Sequence, residues 1–596
     1  MRGYKIFFKS VKEGYLADKK SFFISIVNSI LTSSWSFITT GSFAIIVNEL
    51  AKNLDSSTPI NWESIYFSIF LIVISNLIPN ISDIYDQFIG DRLFRKIDLF
   101  LRMKWLEKIG TFDVGVIEGK KFQDLAQKIN DRSIGSIRSL ESWFFVNMAN
   151  FIRLVTASLI FLKYDYRLTI LAVVSVLPDF FIEREMGKET FELWDKEIEK
   201  KRQVNSKQNH FLNPKLLTEL KLLFKTKFYA KKIHAYQKDF NDQTDRINKK
   251  TFKLKLLGET VFAVCLVFSM YLIVKLTVEG EILVGTMLFV YQAFNTFQFS
   301  AGNVFRSLGR IREHIKFAGD YYDFFKMNPL IDEETGEKIS NQSSSDIVFE
   351  KVNFKYPETD KLVLKNISFE IKEGERVAIV GENGASKTTL IKLLAKMYVP
   401  ESGKIYVGGK NLNDIQTKSW QEVISFMTQD FAMYSDTIRD QIAYGIKGDP
   451  TKVPMSSIIN VAKKAHALDF IEKLPKKFDQ VIGRSFTDGI ELSKGQNQKI
   501  ALARFLLRDS KILILDEPTS AIDAIAESKI FNELFEEERG KTLIIISHRF
   551  NTVKRADKII VLEEGRIVEI GSHDELLKNG KKYAEMYNAQ AKEYQE

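Results

Sequence analysis

The residues best suited to chemistry are Gly381-Glu382-Asn383-Gly384-Ala385-Ser386-Lys387-Thr388-Thr389-Leu390. They meet the phosphate-binding pattern G-x-x-x-x-G-K-[ST] at every fixed position except the second glycine, where Ser386 stands. An apolar run at 377–380 precedes them and a helix-like stretch at 389–394 follows, which is the strand–loop–helix context such a loop needs. There, backbone N–H groups and a helix N-terminus cradle phosphates, Lys387 reaches their outer oxygens, and Thr388 holds Mg2+. Glycine before the lysine matters if that backbone has φ > 0, which costs other residues about 1 kcal/mol or more. A second element is Ile512-Leu513-Ile514-Leu515-Asp516-Glu517. Its four apolar residues make a buried strand, and its carboxylates emerge at the end where ligands of such sheets bind. Asp516 is placed to act on Mg2+, directly or through water, and Glu517 to orient and deprotonate an attacking water.

Positioning these groups takes an α/β core, and beyond residue 345 β-type segments do alternate with helical ones. Residues 328–345 are polar and aperiodic, as a linker is. Ahead of the linker the sequence changes character. Residues 21–48, 64–82, 260–274 and 282–305 hold no Asp, Glu, Lys, Arg or His, and a membrane-spanning helix takes about 20 residues. Residues 142–162, with Arg153, and 168–182, with Pro178 and Asp179, complete six expected spans. Six Lys/Arg in residues 1–20 and seventeen in 196–255 mark those segments as cytoplasmic, with the short connections near 50–63, 163–167 and 275–281 outside. Apolar spacing of three and four in 185–201 and 216–243 predicts helices that continue past the bilayer. Arg153 and Asp179 at membrane depth either face a functional cavity or pair structurally. Asn28, Asn76, Asn80, Asn147, Asn295 and Gln298 either line a path or bond helix to helix.

At 596 residues the chain exceeds one ordinary domain. Its formal charge of +9 lies wholly in residues 1–344, with 47 Lys/Arg against 38 Asp/Glu, since 345–596 hold 38 of each. The excess is dispersed between apolar segments, as in cytoplasmic loops, and not gathered into a nucleic-acid-binding tail. The single cysteine, Cys265, excludes an intrachain disulfide or a Cys-rich metal site. Residues 1–20 are basic and amphipathic and lack the apolar core of a cleavable signal peptide.

The whole chain resembles an ATP-binding-cassette (ABC) transporter of the exporter type, a half-transporter with six membrane helices ahead of one ATPase domain. The resemblance rests on the loop and the acidic pair above, and on motifs that follow in order. Tyr356 in Phe354-Lys355-Tyr356-Pro357 matches the family's adenine-stacking aromatic, and Gln429 in Met427-Thr428-Gln429-Asp430 the glutamine that contacts Mg2+ or water. Asp523 in Ser520-Ala521-Ile522-Asp523 matches a loop that communicates across a dimer, and His548 the switch histidine at the γ-phosphate. The signature, usually Leu-Ser-Gly-Gly-Gln, reads Leu492-Ser493-Lys494-Gly495-Gln496. In the family it closes over ATP bound to the partner subunit.

The resemblance implies an all-α six-helix transmembrane domain at 1–327, a linker at 328–345, and an α/β P-loop ATPase domain at 346–596. It implies ATP and Mg2+ as cofactors. Glu517, His548 and Gln429 would be catalytic, and Thr388, Gln429 and Asp516 would hold the metal. The nucleotide would be bound by Tyr356, by Gly381, Glu382, Asn383, Gly384, Ala385, Ser386, Lys387, Thr388 and Thr389, and by Ser493, Gly495, Gln496 and Asp523. It further implies a multi-pass protein of the plasma or inner membrane, with the ATPase domain and both termini cytoplasmic. The expected partners are the lipid bilayer, a second half-transporter subunit in a homodimer or heterodimer, and an amphipathic substrate, with no nucleic acid. Docking turns are expected around 121–129 and 213–224. Ser386 and Lys494 depart from the family pattern on the same composite site. They raise the expectation of a subunit that binds Mg-ATP but hydrolyses it slowly, alone or beside a distinct second subunit.

Overall fold

The structure, a computed structural model, describes residues 2–56, 59–340, 344–484, 486–518, 524–538, 540–547 and 549–593. Contacts divide the chain into two compact units, Met1–Ile109 with Asp124–Met327, and Gly110–Gln123 with Asn328–Glu596.

The first unit is helical. Its elements are α1 (Arg2–Ala17), α2 (Lys19–Ser56), α3 (Trp62–Ile109), α6 (Ile134–Tyr164), α7 (Tyr166–Leu212), α8 (Pro214–Leu222), α9 (Thr226–Val278) and α10 (Val284–Phe324). Between α3 and α6 lie α4 (Val114–Glu118) and α5 (Lys120–Lys128), the latter running into a π-helical turn, Ile129–Ser133. Five of the six expected spans fall inside long helices, and the sixth, 282–305, begins two residues ahead of α10. Among the described residues four stretches are long and apolar enough to cross a membrane: Lys19–Asn53, Trp62–Ile109, Lys120–Tyr164 and Thr226–Val278. α7 and α10 are of similar length but more polar, since α7 carries Asp179 beside Pro178 and α10 carries Gln292, Asn295 and Gln298.

On the other helices large apolar side chains such as Phe67, Phe70, Val73 and Leu77 face outward, as do Val264, Val267, Phe268 and Tyr271. An outward apolar face of this extent belongs in lipid. Helices approach closely where side chains are small. A Cβ on Gly285 would lie 2.1 Å from the Ala44 carbonyl oxygen, and the Gly285 N–H donates to Asn48 at 2.7 Å. The polar residues of the spans mostly bond within or between helices: Asn28 to the Ser82 carbonyl, Asn76 to Ile72, Asn295 to Tyr291, and Asn147 to both Trp143 and Ser307. Arg153 donates to Asn150 on its own helix, whereas the charges that bear on Asp179 are Lys255, Arg306 and Glu183. These two residues therefore belong to separate polar clusters.

Extended helices continue well past the apolar stretches, as their spacing predicts. The 216–243 stretch is interrupted, however. α8 ends at Leu222, Phe224 takes φ +55°, and α9 starts at Thr226. This turn leaves Leu222, Leu223 and Phe224 exposed, Phe224 by 90%.

The second unit contains two sheets. β1 (Ile347–Phe354), β2 (Leu364–Ile371), β4 (Ser402–Val407) and β5 (Lys410–Asn411) form an antiparallel sheet in the order β2-β1-β4-β5. The other sheet runs β10-β9-β3-β8-β7-β6, formed by β3 (Arg376–Gly381), β6 (Ile424–Met427), β7 (Ile512–Asp516), β8 (Thr542–Ile546), β9 (Lys558–Glu563) and β10 (Arg566–Gly571). All its pairings are parallel except β9 with β10. Strands β7 and β8 are buried along their whole length, because a parallel sheet is covered on both faces and tolerates continuous apolar runs. Ile379 of β3 pairs with Ile546 of β8, which in turn pairs with Asp516 of β7. The ends of β3 and β7 are therefore level, one strand apart.

Candidate functional site

At the carboxyl end of β3 the chain turns through residues 382–386 into α11 (Lys387–Leu394). A Cβ on Gly381 would lie 2.2 Å from the Leu562 carbonyl oxygen, so only glycine fits there. Ser386 is the N-cap residue of α11, at φ +74° and ψ +25°, and its side chain makes no cap hydrogen bond. A serine thus occupies the left-handed conformation for which the usual glycine is suited. The leading N–H groups of α11 are without intrahelical acceptors and point toward an anion position.

Lys387 is folded back onto the loop, with Nζ donating to the carbonyls of Gly381 at 2.8 Å and Glu382 at 3.0 Å. Its side chain is buried, and burial lowers its pKa, while the carboxylates of Glu517 and Asp516 oppose the shift. Thr389 shares a 2.8 Å hydrogen bond with the Tyr356 hydroxyl. The Tyr356 ring meets Phe354 and Tyr398 edge-on.

Asp516 ends β7 and is 1% exposed. Burial raises its pKa, opposed by the Thr388 hydroxyl, and Glu517 adds to the rise. Neither carboxylate oxygen has a hydrogen-bond partner of good geometry among the described residues. A shielded carboxylate beside a threonine hydroxyl offers the oxygen donors of a hard cation, so the residues fit Mg2+.

Glu517 follows at φ +47°. Its N–H donates to the Ile546 carbonyl at 3.0 Å, and its Oε2 accepts from Gln429 Nε2 at 2.8 Å. Gln498, fully buried in the helix Lys494–Leu507, donates to the Glu517 carbonyl at 3.4 Å. The structure therefore gathers Gly381–Thr389, Asp516, Glu517 and Gln429, with Tyr356 attached through Thr389. Asp523 and His548 lie outside the described residues.

The signature is a helix start. Ser493 is the N-cap of Lys494–Leu507, its Oγ accepts from the Gln496 N–H, and Gln496 Oε1 accepts from the Ser493 N–H, forming a capping box. Gln496 thus has a local structural partner, while Lys494 is exposed at the first turn and Gly495 follows it. Among the described residues no hydrogen bond or ion pair joins Ser493 or Lys494 to the loop at 381–389.

Three contributors escaped sequence reading. Gln498 is one, a polar residue at 0% exposure that supports Glu517. Lys582, some 200 positions from the loop, pairs with Glu382 at 2.7 Å and Glu563 at 3.1 Å. The third is the segment Gly110–Gln123. Asp113 caps α4 through the Val116 N–H and also accepts from the N–H groups of Leu330 and Ile331. Tyr398 donates to Glu118, and the Lys120 N–H reaches Glu358 at 3.4 Å. The docking turn expected at 121–129 is therefore centred earlier, because Asp113 and Glu118 supply the acceptors. An aspartate followed three residues later by an open N–H was the available signal.

The sequence model of the family described as ABC transporter matches residues 364–520. The chain is similar to the subtilin transport ATP-binding protein SpaT of Bacillus subtilis, 28% identical over 92% of this chain and 89% of that protein. It is also similar to the ATP-dependent lipid A-core flippase of Alkalilimnicola ehrlichii, 41% identical over 43% of this chain. That match spans 42% of the flippase, so the similarity reaches less than half the length of this relative. A solved structure of a bacterial Atm1-family ABC exporter with ATP bound superposes with a TM-score of 0.82 at 22% identity, over 95% of this chain and 98% of that one. The phosphate loop, the acidic pair and the capped signature helix lie in or beside the residues that match the ABC transporter family model, 364–520, and the chain as a whole has the fold of the solved ABC exporter.

Proposed function

We propose that this chain is a half-transporter that dimerises and uses ATP to drive an amphipathic molecule out across the membrane. The observation that carries the reading is the orphaned, buried Asp516 carboxylate beside Thr388, one residue from a Glu517 held by Gln429. When bound through Thr388, Asp516 and Gln429, Mg2+ supplies neutralisation of phosphate charge. Lys387 exchanges its two loop carbonyls for phosphate oxygens, and the open N–H groups of α11 take the rest. Glu517, oriented by Gln429, aligns the attacking water and accepts its proton. Ser493 and the start of its helix serve the nucleotide of the partner subunit. The exposed apolar turn at 222–224 docks on the partner's ATPase domain. The six long helices span the membrane with both termini in the cytoplasm.

Glu517→Gln tests the catalytic assignment in purified full-length protein. ATP hydrolysis falls by about a hundredfold or more while ATP affinity stays. Retained hydrolysis would remove Glu517 from the mechanism. ATP-dependent movement of labelled lipids and peptides in inside-out but not right-side-out vesicles tests the direction.

The left-handed Ser386 supports a second reading, a slowly hydrolysing partner in a heterodimer. In that case turnover by this chain alone is low and rises on co-expression with a different subunit.

A further inference from the structure

A cavity of about 480 Å3 opens between α7 and α10 within the helical unit, a size that suits a drug-sized ligand. It lies beside a close crossing of the two helices, where a Cβ on Gly187 would sit 3.4 Å from Gly309 Cα. Both helices are here just past the stretches 168–182 and 282–305, at the level where a bilayer's inner headgroups meet water.

The lining is two-faced. Met186, Trp194 and Phe317 give it an apolar wall. Arg306, Arg310 and Arg312 line it from α10, Arg310 one turn beyond Arg306 and Arg312 two residues further, and Lys188, Lys255 and Lys316 also border it; among the described residues the acids of the lining are Glu183 and Glu313. Glu183 is already engaged by Lys255 at 2.6 Å. Arg306 donates to the neutral Asn303, although Asp179 lies nearby. Arg310 and Arg312 make no ion pair among the described residues. The aromatic wall is itself flanked by cations: Arg132 lies 5.0 Å from the Trp194 ring and 5.3 Å from Phe317, and Lys201 lies 3.8 Å from Trp194. Burial, and then the Arg132 charge, pulls the Lys201 ammonium down to about 8 despite Glu313. Guanidinium groups with spare donors favour planar or tetrahedral oxyanions, which they grip with paired hydrogen bonds.

We propose that this cavity is a binding site for an amphipathic anion, its phosphate or carboxylate head held by Arg310 and Arg312 and its apolar tail laid against Trp194 and Phe317. The proposal rests on the transporter reading and names the substrate class that the transporter takes up. An alkyl cation of equal length meets the same apolar wall but is repelled by the arginines.

The test uses the full chain in discs of zwitterionic lipid, with dodecyl phosphate, inorganic phosphate and dodecyltrimethylammonium as probes and tryptophan emission as readout. Dodecyl phosphate is expected to bind about tenfold or more tightly than either control, because each control lacks one of the two contacts. Arg310→Gln with Arg312→Gln is expected to weaken dodecyl phosphate about tenfold and leave the alkyl cation unchanged. Thr190→Glu, which adds an acid to the lining without removing an arginine, weakens the anion too and guards against misfolding of the double variant. Competition by phosphatidic acid in the disc identifies a lipid headgroup, and its absence a soluble amphiphile. Equal binding of the alkyl cation, or unchanged anion affinity in both variants, overturns the proposal. Basal ATP hydrolysis of the parent chain, measured in the same discs, separates this failure from failure of the transporter reading.

Discussion

Ser386 is where one side chain sets a rate question. Its backbone stands at φ +74°, a conformation that costs a residue with a Cβ about 1 kcal/mol or more. Ser386→Gly removes that strain but returns conformational entropy to the unfolded chain, so the net stability gain is under about 1 kcal/mol. Thermal unfolding of the protein without nucleotide checks it, and a lowered midpoint refutes it. The same change is expected to raise ATP turnover by clearing a hydroxymethyl group from the phosphate path. The loop, Asp516 and Glu517 were legible in the sequence because an apolar strand followed by fixed polar residues is a local pattern. Gln498 and Lys582 were not, since their partners lie 19 and 200 positions away and nothing local marks them.

Among the elements, the helix Lys494–Leu507 and the segment Gly110–Gln123 carry separable roles. Ser493→Ala removes the cap bond that the Ser493 Oγ accepts from the Gln496 N–H, at a cost of about 1 kcal/mol, and leaves the backbone N–H at 493 bonded to Gln496 Oε1. Ser493→Asp keeps an N-cap acceptor yet adds negative charge where a partner's triphosphate would sit. The expected pattern is normal unfolding temperature with lost hydrolysis for Asp, and a lowered temperature for Ala. Equal hydrolysis in Ser493→Asp and the parent would show that the residue is only a cap. Asp113 is buried and accepts from three N–H groups. Asp113→Ala strands those donors and costs about 1–3 kcal/mol, with faster hydrogen exchange or proteolysis expected across 110–123. Unchanged protection there would mean that other contacts hold the segment. Helix continuation past the apolar stretches followed from periodicity, whereas the break at Phe224 did not. No glycine or proline marks it, and the N-cap of α8, Asn213 with Pro214, was its only nearby punctuation.

For the whole molecule, the proposed dimer joins the loop of one subunit to the signature of the other, so Ser386 and Lys494 act on one composite site. Ser386→Gly and Lys494→Gly are then expected to be non-additive in ATP turnover, with a coupling of about 0.5 kcal/mol or more. Additive effects would place the two residues at independent sites. Sequence alone determined the class of each half. Long charge-free runs have no stable place in water, and the strand–loop–helix with its acidic pair specifies phosphate chemistry through residues close in sequence. Tertiary structure decided what depends on distant segments meeting. It assigned 110–123 to the α/β unit through Asp113 and Glu118. It buried Asp516 without a partner, and it set the arginines of α10 against the aromatic wall of a cavity. Such placements arise from packing between segments up to hundreds of residues apart, and no local pattern encodes them.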